Sequence, residues 1–249
     1  MKRLIAALLL TATPVLAFDI SSMSDDEKAA FGEAVRDYLM ANPEVLIESI
    51  NVLEERRAND AAMNDKELVA ANLDAIFMDG HSWVGGNPQG DLTMVEFIDY
   101  RCGVCRRFND EVRDIVAKDG NIRLIMKEFP ILGQDSEASA RFAISVKQIA
   151  GDDAYLKAHD ALIALRSPAS IDALKKVAGD IGVDADEVVN TMNTDSVSAI
   201  LRENYQLAER MAIQGTPTFV IGDELLRGVP AAGLTATVQD IRKQIADKG

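Results

Sequence analysis

Cys102 and Cys105 are the two cysteines of this 249-residue chain, and they stand as Cys-Gly-Val-Cys. They are too few for a zinc cage of four thiolates or for a disulfide scaffold. A static bridge across so small a loop would gain little chain entropy, so the spacing suits a redox pair better. The pair lies where a strand gives way to a helix. A helix N-terminus presents unpaired N–H groups and the positive end of the dipole. Both favour a thiolate, and thiols so placed titrate between about 3.5 and 7.5, against about 8.5 for a free one. Cys102, at the mouth of the helix, is the expected nucleophile. Cys105, one turn further in, is the expected resolving thiol. Arg101, Arg106 and Arg107 bring positive charge nearby and read otherwise as a solvated helix face.

Two other places can serve this pair. Glu96 sits six positions before Cys102, in the apolar run LTMVEFI. An acid there is expected to be partly buried, and burial raises its pKa. Such an acid can move a proton to or from Cys105 during exchange. Further on, Gly215-Thr216-Pro217 opens a strand after a helix. Proline cannot donate in a central ladder, and X–Pro is where cis bonds occur. A cis bond would set the Thr216 backbone beside the cysteines, where it could pair with an incoming peptide. Thr216 and Pro217 are therefore substrate-binding candidates; the alternative is an ordinary trans proline starting a strand.

The elements that must position these residues follow from periodicity and punctuation. Lys2 and Arg3, an apolar run from Leu4 to Leu10, and Val15-Leu16-Ala17 read as a signal peptide cut after Ala17. Export carries a chain to where disulfides persist. Residues 18–78 read as an N-terminal helical extension. Ser24 caps a helix with an acidic first turn, and Asn42 caps the next, with Pro43 in its first position. That second helix carries the stripe Leu46, Ile50, Leu53, then a polar stretch from Glu54 to Glu67. An apolar stripe separated in this way needs a partner, and another copy of the chain is the readiest. Residues 80–90, with Gly85-Gly86-Asn87-Pro88, read as a loop.

Residues 79–249 read as an α/β catalytic domain. Strand Leu92–Ile98, a helix over Cys102–Lys118 and strand Ile122–Phe129 make a βαβ unit with parallel strands. Residues of about 135–212 form a helical block. A hairpin of Thr218–Ile221 and Glu224–Arg227, then a helix over Ala231–Lys248, complete a ββα unit. The hydrophobic fraction of 48% is ample for a core, and a net charge of −14 argues against nucleic acid as a partner.

The runs VEFIDYRCGVCRRF (95–108) and GTPTFVIG (215–222), with helices between, resemble the DsbA-like branch of thioredoxin-fold thiol–disulfide oxidoreductases. The resemblance covers about residues 83–247. It implies a thioredoxin fold with a helical insertion, a cis bond at Pro217, and catalytic roles for Cys102, Cys105 and Glu96. It also implies no cofactor, exported proteins with cysteines as substrates, a membrane redox partner that recycles the dithiol, and a periplasmic location. The DsbA oxidase has Pro-His between its cysteines and Val before the cis proline; Gly103-Val104 and Thr216 stand here. Thr216 resembles the isomerase-type members. VRDYLMANPEVLIESINVLEERR (35–57) resembles the N-terminal extension of the suppressor-of-copper-sensitivity C proteins, some of which form trimers and isomerise disulfides. The expected activity is thus disulfide isomerase or oxidase. The competing class is a Cu(I)-binding protein using the same soft thiolates. Against it, His81 and His159 have no ligand spacing to the cysteines, and the nine methionines are scattered.

Overall fold

The computed structural model describes residues 23–248, so the signal-peptide reading of residues 1–17 lies outside them. In chain order the elements are α1 (Asp25–Ala41), α2 (Glu44–Ala71), α3 (Leu73–Phe77), β1 (Trp83–Gly86), β2 (Leu92–Ile98), α4 (Gly103–Asp119), β3 (Ile122–Glu128), α5 (Gln134–Ala164), α6 (Ile171–Ile181), α7 (Ala185–Thr191), α8 (Asp195–Arg210), β4 (Thr218–Ile221), β5 (Glu224–Arg227) and α9 (Leu234–Lys248). The chain divides within α2, between Ala58 and Asn59, into two compact units.

In the first unit, Ser24 and Glu27 cap α1 reciprocally. The Glu27 amide donates to the Ser24 hydroxyl, and the Ser24 amide donates to the Glu27 carboxylate at 2.8 Å. Asn42 departs from expectation: its side chain donates back to the Tyr38 carbonyl at 2.9 Å, closing α1 rather than opening α2. Phe31, Val35 and Tyr38 of α1 are exposed, as are Leu46, Ile50 and Leu53 of α2.

The second unit is built on a five-stranded sheet of order β1-β3-β2-β4-β5. β2 and β3 run parallel, and the other neighbours are antiparallel. β2 is central and is covered on both faces, which is why its sequence reads as a near-continuous apolar run. Met94 and Ile98 face a core shared with α4, α5 and α9; Val95 and Phe97 face the end of α2, α3 and α8. Helices α5 to α8 form the expected insertion, and α5 bends at Gly151, whose φ is 80°.

β1 replaces part of the expected loop. The Trp83 ring lies against Gly85 so closely that a Cβ there would come within 2.0 Å of it, and Gly86 has a φ of 68° beside the Ile122 carbonyl. The glycines are thus demanded by close approach within a strand, not by a turn.

Candidate active site

Cys102 is the N-cap of α4, with extended backbone angles. Its amide donates to the Asp99 carbonyl at 3.0 Å, and its own carbonyl accepts from the Arg106 amide at 3.1 Å. Cys105 follows one turn in. Both are free thiols; Cys102 is 8% exposed and Cys105 fully buried. Gly103 and Val104 between them are exposed, so a partner reaching the pair meets these two residues first.

The Thr216–Pro217 bond is cis. The Thr216 carbonyl accepts from the Cys102 thiol at 3.2 Å, which brings residues 114 positions apart to one point. The Thr218 hydroxyl holds the turn through the Gly215 carbonyl at 2.8 Å. A cleft of about 340 Å³ runs along Gly215–Thr218 and is bounded by Ala212 and Arg227.

Glu96 lies in the middle of β2, 3% exposed, paired with Met126 on one side and Phe219 on the other. Burial, and then the charge of Glu128, push it up to about 8. The Cys105 thiol is pushed well up, first by its own burial and then by the charge of Glu96, with the Asp99 backbone acting the other way. Cys105 and Glu96 therefore sense one another, and a thiolate at Cys105 is costly unless its proton has somewhere to go.

The arginines are not a bare solvated face. Arg101 donates to the carbonyls of Leu165 and Ser167 at 3.1 and 3.0 Å, and Arg106 donates to the carbonyls of Tyr100 and Leu165 at 2.6 and 2.8 Å. They tie the strand–helix junction to the end of α5. Arg107 is exposed.

Asp99 was not singled out from sequence. It is buried, and its carboxylate accepts from the amides of Arg101, Ile131 and Leu132 at 2.7, 2.8 and 3.0 Å, which shapes the approach to Cys102. Glu128 was missed too: it ends a strand, IRLIMKE, that already carries Arg123 and Lys127, so it does not stand out as Glu96 does in LTMVEFI. Neither histidine adds a soft donor set to the thiols. His81 lies between Asp79 and Glu203, and His159 is bonded to Asn109. Among the described residues no three His, Cys, Asp or Glu side chains group as a metal site, and no helix is long and apolar enough to cross a membrane.

A βαβ unit and a ββα unit, a dithiol at a helix start and a cis proline facing it define a thioredoxin-type redox fold. The family described as the DSBA-like thioredoxin domain matches residues 93–241, more than half of the chain, and the copper resistance protein ScsC N-terminal domain matches residues 27–59. The chain belongs to the DSBA-like thioredoxin domain family. A thioredoxin-like oxidoreductase from Silicibacter pomeroyi is 35% identical, with 71% of this chain and 98% of that one covered at a TM-score of 0.63. Proteus mirabilis ScsC in a transitional conformation is 26% identical, with 93% and 100% covered at 0.64. A periplasmic thioredoxin-like protein from Salmonella enterica serovar Typhimurium is 30% identical, with 68% and 94% covered at 0.60. Among curated relatives, the Na(+)/H(+) antiporters NhaA 1 of Salinispora arenicola and NhaA 3 of Salinispora tropica are 26% and 22% identical over 139 residues, 55% of this chain. The chain spans about a fifth of the length of these curated relatives.

Proposed function

We propose that this chain is an exported thiol–disulfide oxidoreductase that acts on protein disulfides through Cys102 and Cys105. The observation that carries the reading is the Cys102 thiol at a helix start, 3.2 Å from the carbonyl before a cis proline, with Cys105 buried behind it. The Cys102 thiolate attacks one sulfur of a substrate disulfide, breaking that bond, forms a mixed disulfide with it and releases the other sulfur as a thiolate. Cys105 gives its proton to Glu96 and attacks the Cys102 sulfur, which releases the substrate thiolate. Thr216 and Pro217 hold the substrate backbone, and the cleft along Gly215–Thr218 gives it room. The same steps in reverse oxidise a substrate.

Export to the periplasm is supported by the signal-like start of the chain and by the Salmonella relative described as periplasmic. Substrates are then exported proteins with cysteines, and a membrane redox partner recycles the dithiol. The match to the ScsC N-terminal domain and the exposed apolar side chains of residues 31–53 support assembly of several copies. Several sites held around one misfolded substrate favour isomerisation.

A reading as a Cu(I) carrier draws on the same thiolates and on the copper-resistance name of the N-terminal match. It gives Glu96 and the cis-proline loop nothing to do. One experiment separates the two: insulin reduction and scrambled-ribonuclease assays on the chain, Cys102→Ser and Cys105→Ser. We expect Cys102→Ser to abolish turnover and Cys105→Ser to accumulate mixed disulfides. An inactive wild type that binds Cu(I) stoichiometrically overturns the redox reading.

A further inference from the structure

The exchange uses Glu96 and leaves Glu128 idle, yet both are buried on the same face of the sheet. In the parallel pairing of β2 with β3, Glu96 lies beside Met126, and Glu128 is two residues further along. Alternation puts Glu96, Met126 and Glu128 on one side, as diagonal neighbours. Their exposures are 3% and 4%.

The surroundings of Glu128 are lopsided. Its Oε1 accepts from the Tyr100 hydroxyl at 3.0 Å and from the Tyr155 hydroxyl at 2.6 Å. Its Oε2 is buried with no partner among the described residues. A bare carboxylate oxygen in such a place is costly, and a proton on Oε2 lowers the cost by neutralising the charge. Behind the phenols, His159 Nδ1 lies 3.4 Å from the Tyr100 hydroxyl, and its Nε2 lies 2.8 Å from Asn109 Oδ1 of α4, the helix that carries the cysteines. The titratable groups around Glu128 are Glu96 from β2, Asp99 and Tyr100 from the β2–α4 junction, and Tyr155 and His159 from α5; on the α8 side Asn204 donates to its backbone carbonyl at 3.0 Å. None of these carries a positive charge at neutral pH, His159 being held neutral by burial. The adjacent Lys127 points to the other face and pairs with Asp79.

We propose that Glu128 is a positioning residue for thiol–disulfide exchange: it acts through Glu96, the two carboxyls sharing one proton, so that the negative charge on Glu128 when the proton lies on Glu96 keeps Glu96 able both to take a proton from Cys105 and to return it. This rests on the reading of Glu96 as the proton acceptor. The charge of Glu128 is, after burial, the cause that raises Glu96, and burial raises Glu128 to about 8 as well. Two such carboxyls titrate as a pair rather than singly. In the resolving step the Cys105 proton passes to Glu96. The Cys105 sulfur bonds to the Cys102 sulfur, and the bond from Cys102 to the substrate sulfur breaks. The electron pair leaves with the substrate thiolate. Two electrons have then moved from the dithiol to the substrate disulfide. Running backwards, Glu96 returns the proton to Cys105.

The test is the pH profile of a single turnover. The reduced full chain is mixed with a peptide disulfide from mildly acidic to mildly alkaline pH, for wild type, Glu96→Gln, Glu128→Gln and the double variant. The carboxyl infrared bands are followed over the same range. We expect Glu96→Gln to remove the Glu96-dependent limb. Glu128→Gln should keep that limb and move it down by about one pH unit, the scale of a neighbouring charge. The double variant should match Glu96→Gln. Tyr155→Phe, which strips one donor from Glu128 and favours its protonated form, should move the limb the same way by less, and it serves if Glu128→Gln does not fold. An altered Glu96→Gln profile with no movement in Glu128→Gln overturns the role of Glu128 and leaves the relay standing. A Glu128→Gln shift that persists in the Glu96→Gln background shows action by another route and also overturns it. An unaltered Glu96→Gln profile removes the relay itself, and this proposal with it.

Discussion

Lys127 and Glu128 are consecutive residues of β3, both buried, on opposite faces of one sheet. On the Lys127 face, the ammonium meets the Asp79 carboxylate, with the Ser82 hydroxyl beside it. Burial works against Asp79, yet the Lys127 charge and hydrogen bond hold it down to about 2. On the Glu128 face, two acids lie near each other, Glu96 within reach of the charge of Cys105, and Glu128 has phenols and a neutral imidazole for company. A buried charge kept for structure is paired. The unpaired acids sit behind the cysteines, where a group that changes charge near neutral pH is of use.

Breaking the structural pair should have the largest effect. Lys127→Met leaves the half-buried Asp79 without its cation, a change that costs about 3 kcal/mol, the low end for a buried pair. Urea unfolding measures it. Adding Asp79→Asn should recover most of the loss, because no lone charge then remains. If Lys127→Met costs nothing, the two faces do not differ as argued.

Part of this contrast is legible in the sequence. Glu96 stands out as an acid in an apolar strand, and the position of Cys102 before a glycine-started helix follows from the strand–helix pattern; Glu128, after Lys127 at the end of β3, does not stand out. The partners of Glu128 do not stand out. Tyr155 and His159 come from a helix about 30 residues downstream and meet Tyr100 only through packing. The contacts of Arg101 and Arg106 with the carbonyls of Leu165 and Ser167 depend likewise on where the insertion returns to the sheet. β1 was hidden because Gly85-Gly86 reads as a turn until the Trp83 ring is seen to need the space. At Asn42 one side chain could cap either helix, and local pattern does not choose between them.

The unpaired face should behave in the opposite sense to the paired one. The Glu96–Glu128 pair keeps a proton up to about pH 8 in the folded chain, against an ordinary value of 4.5 for each acid. Between these values the unfolded chain is ionised and the folded one is not, so stability is lost as pH rises through them. Glu96→Gln cannot ionise and should be more stable than wild type at pH 7, by about 3 kcal/mol at about 1.4 kcal/mol per unit. The two should converge near pH 4. Glu128→Gln should gain in the same direction, and the double variant by less than the sum, since the acids titrate as a pair. A Glu96→Gln variant less stable than wild type at pH 7 would mean that the folded chain holds no proton on this pair at that pH.

His159 should give the smallest effect, with the sign reversed. Burial holds it at about 4, against an ordinary 6.5. The unfolded chain therefore takes up a proton first, and stability is lost as pH falls from about 6.5 towards 4. The loss at pH 5 is about 2 kcal/mol. Over that same range the carboxyl pair gains stability as pH falls, so the two trends oppose each other. On these groups alone, wild type should grow more stable from pH 8 down to about 6.5 and then level off. His159→Gln removes the opposing trend, and its stability should keep rising to about pH 4.5. Denaturant unfolding of both proteins across this range measures the difference. Parallel curves below pH 6.5 would mean that His159 takes its proton in the folded chain as readily as in the unfolded one, and that the network behind Glu128 is not held neutral.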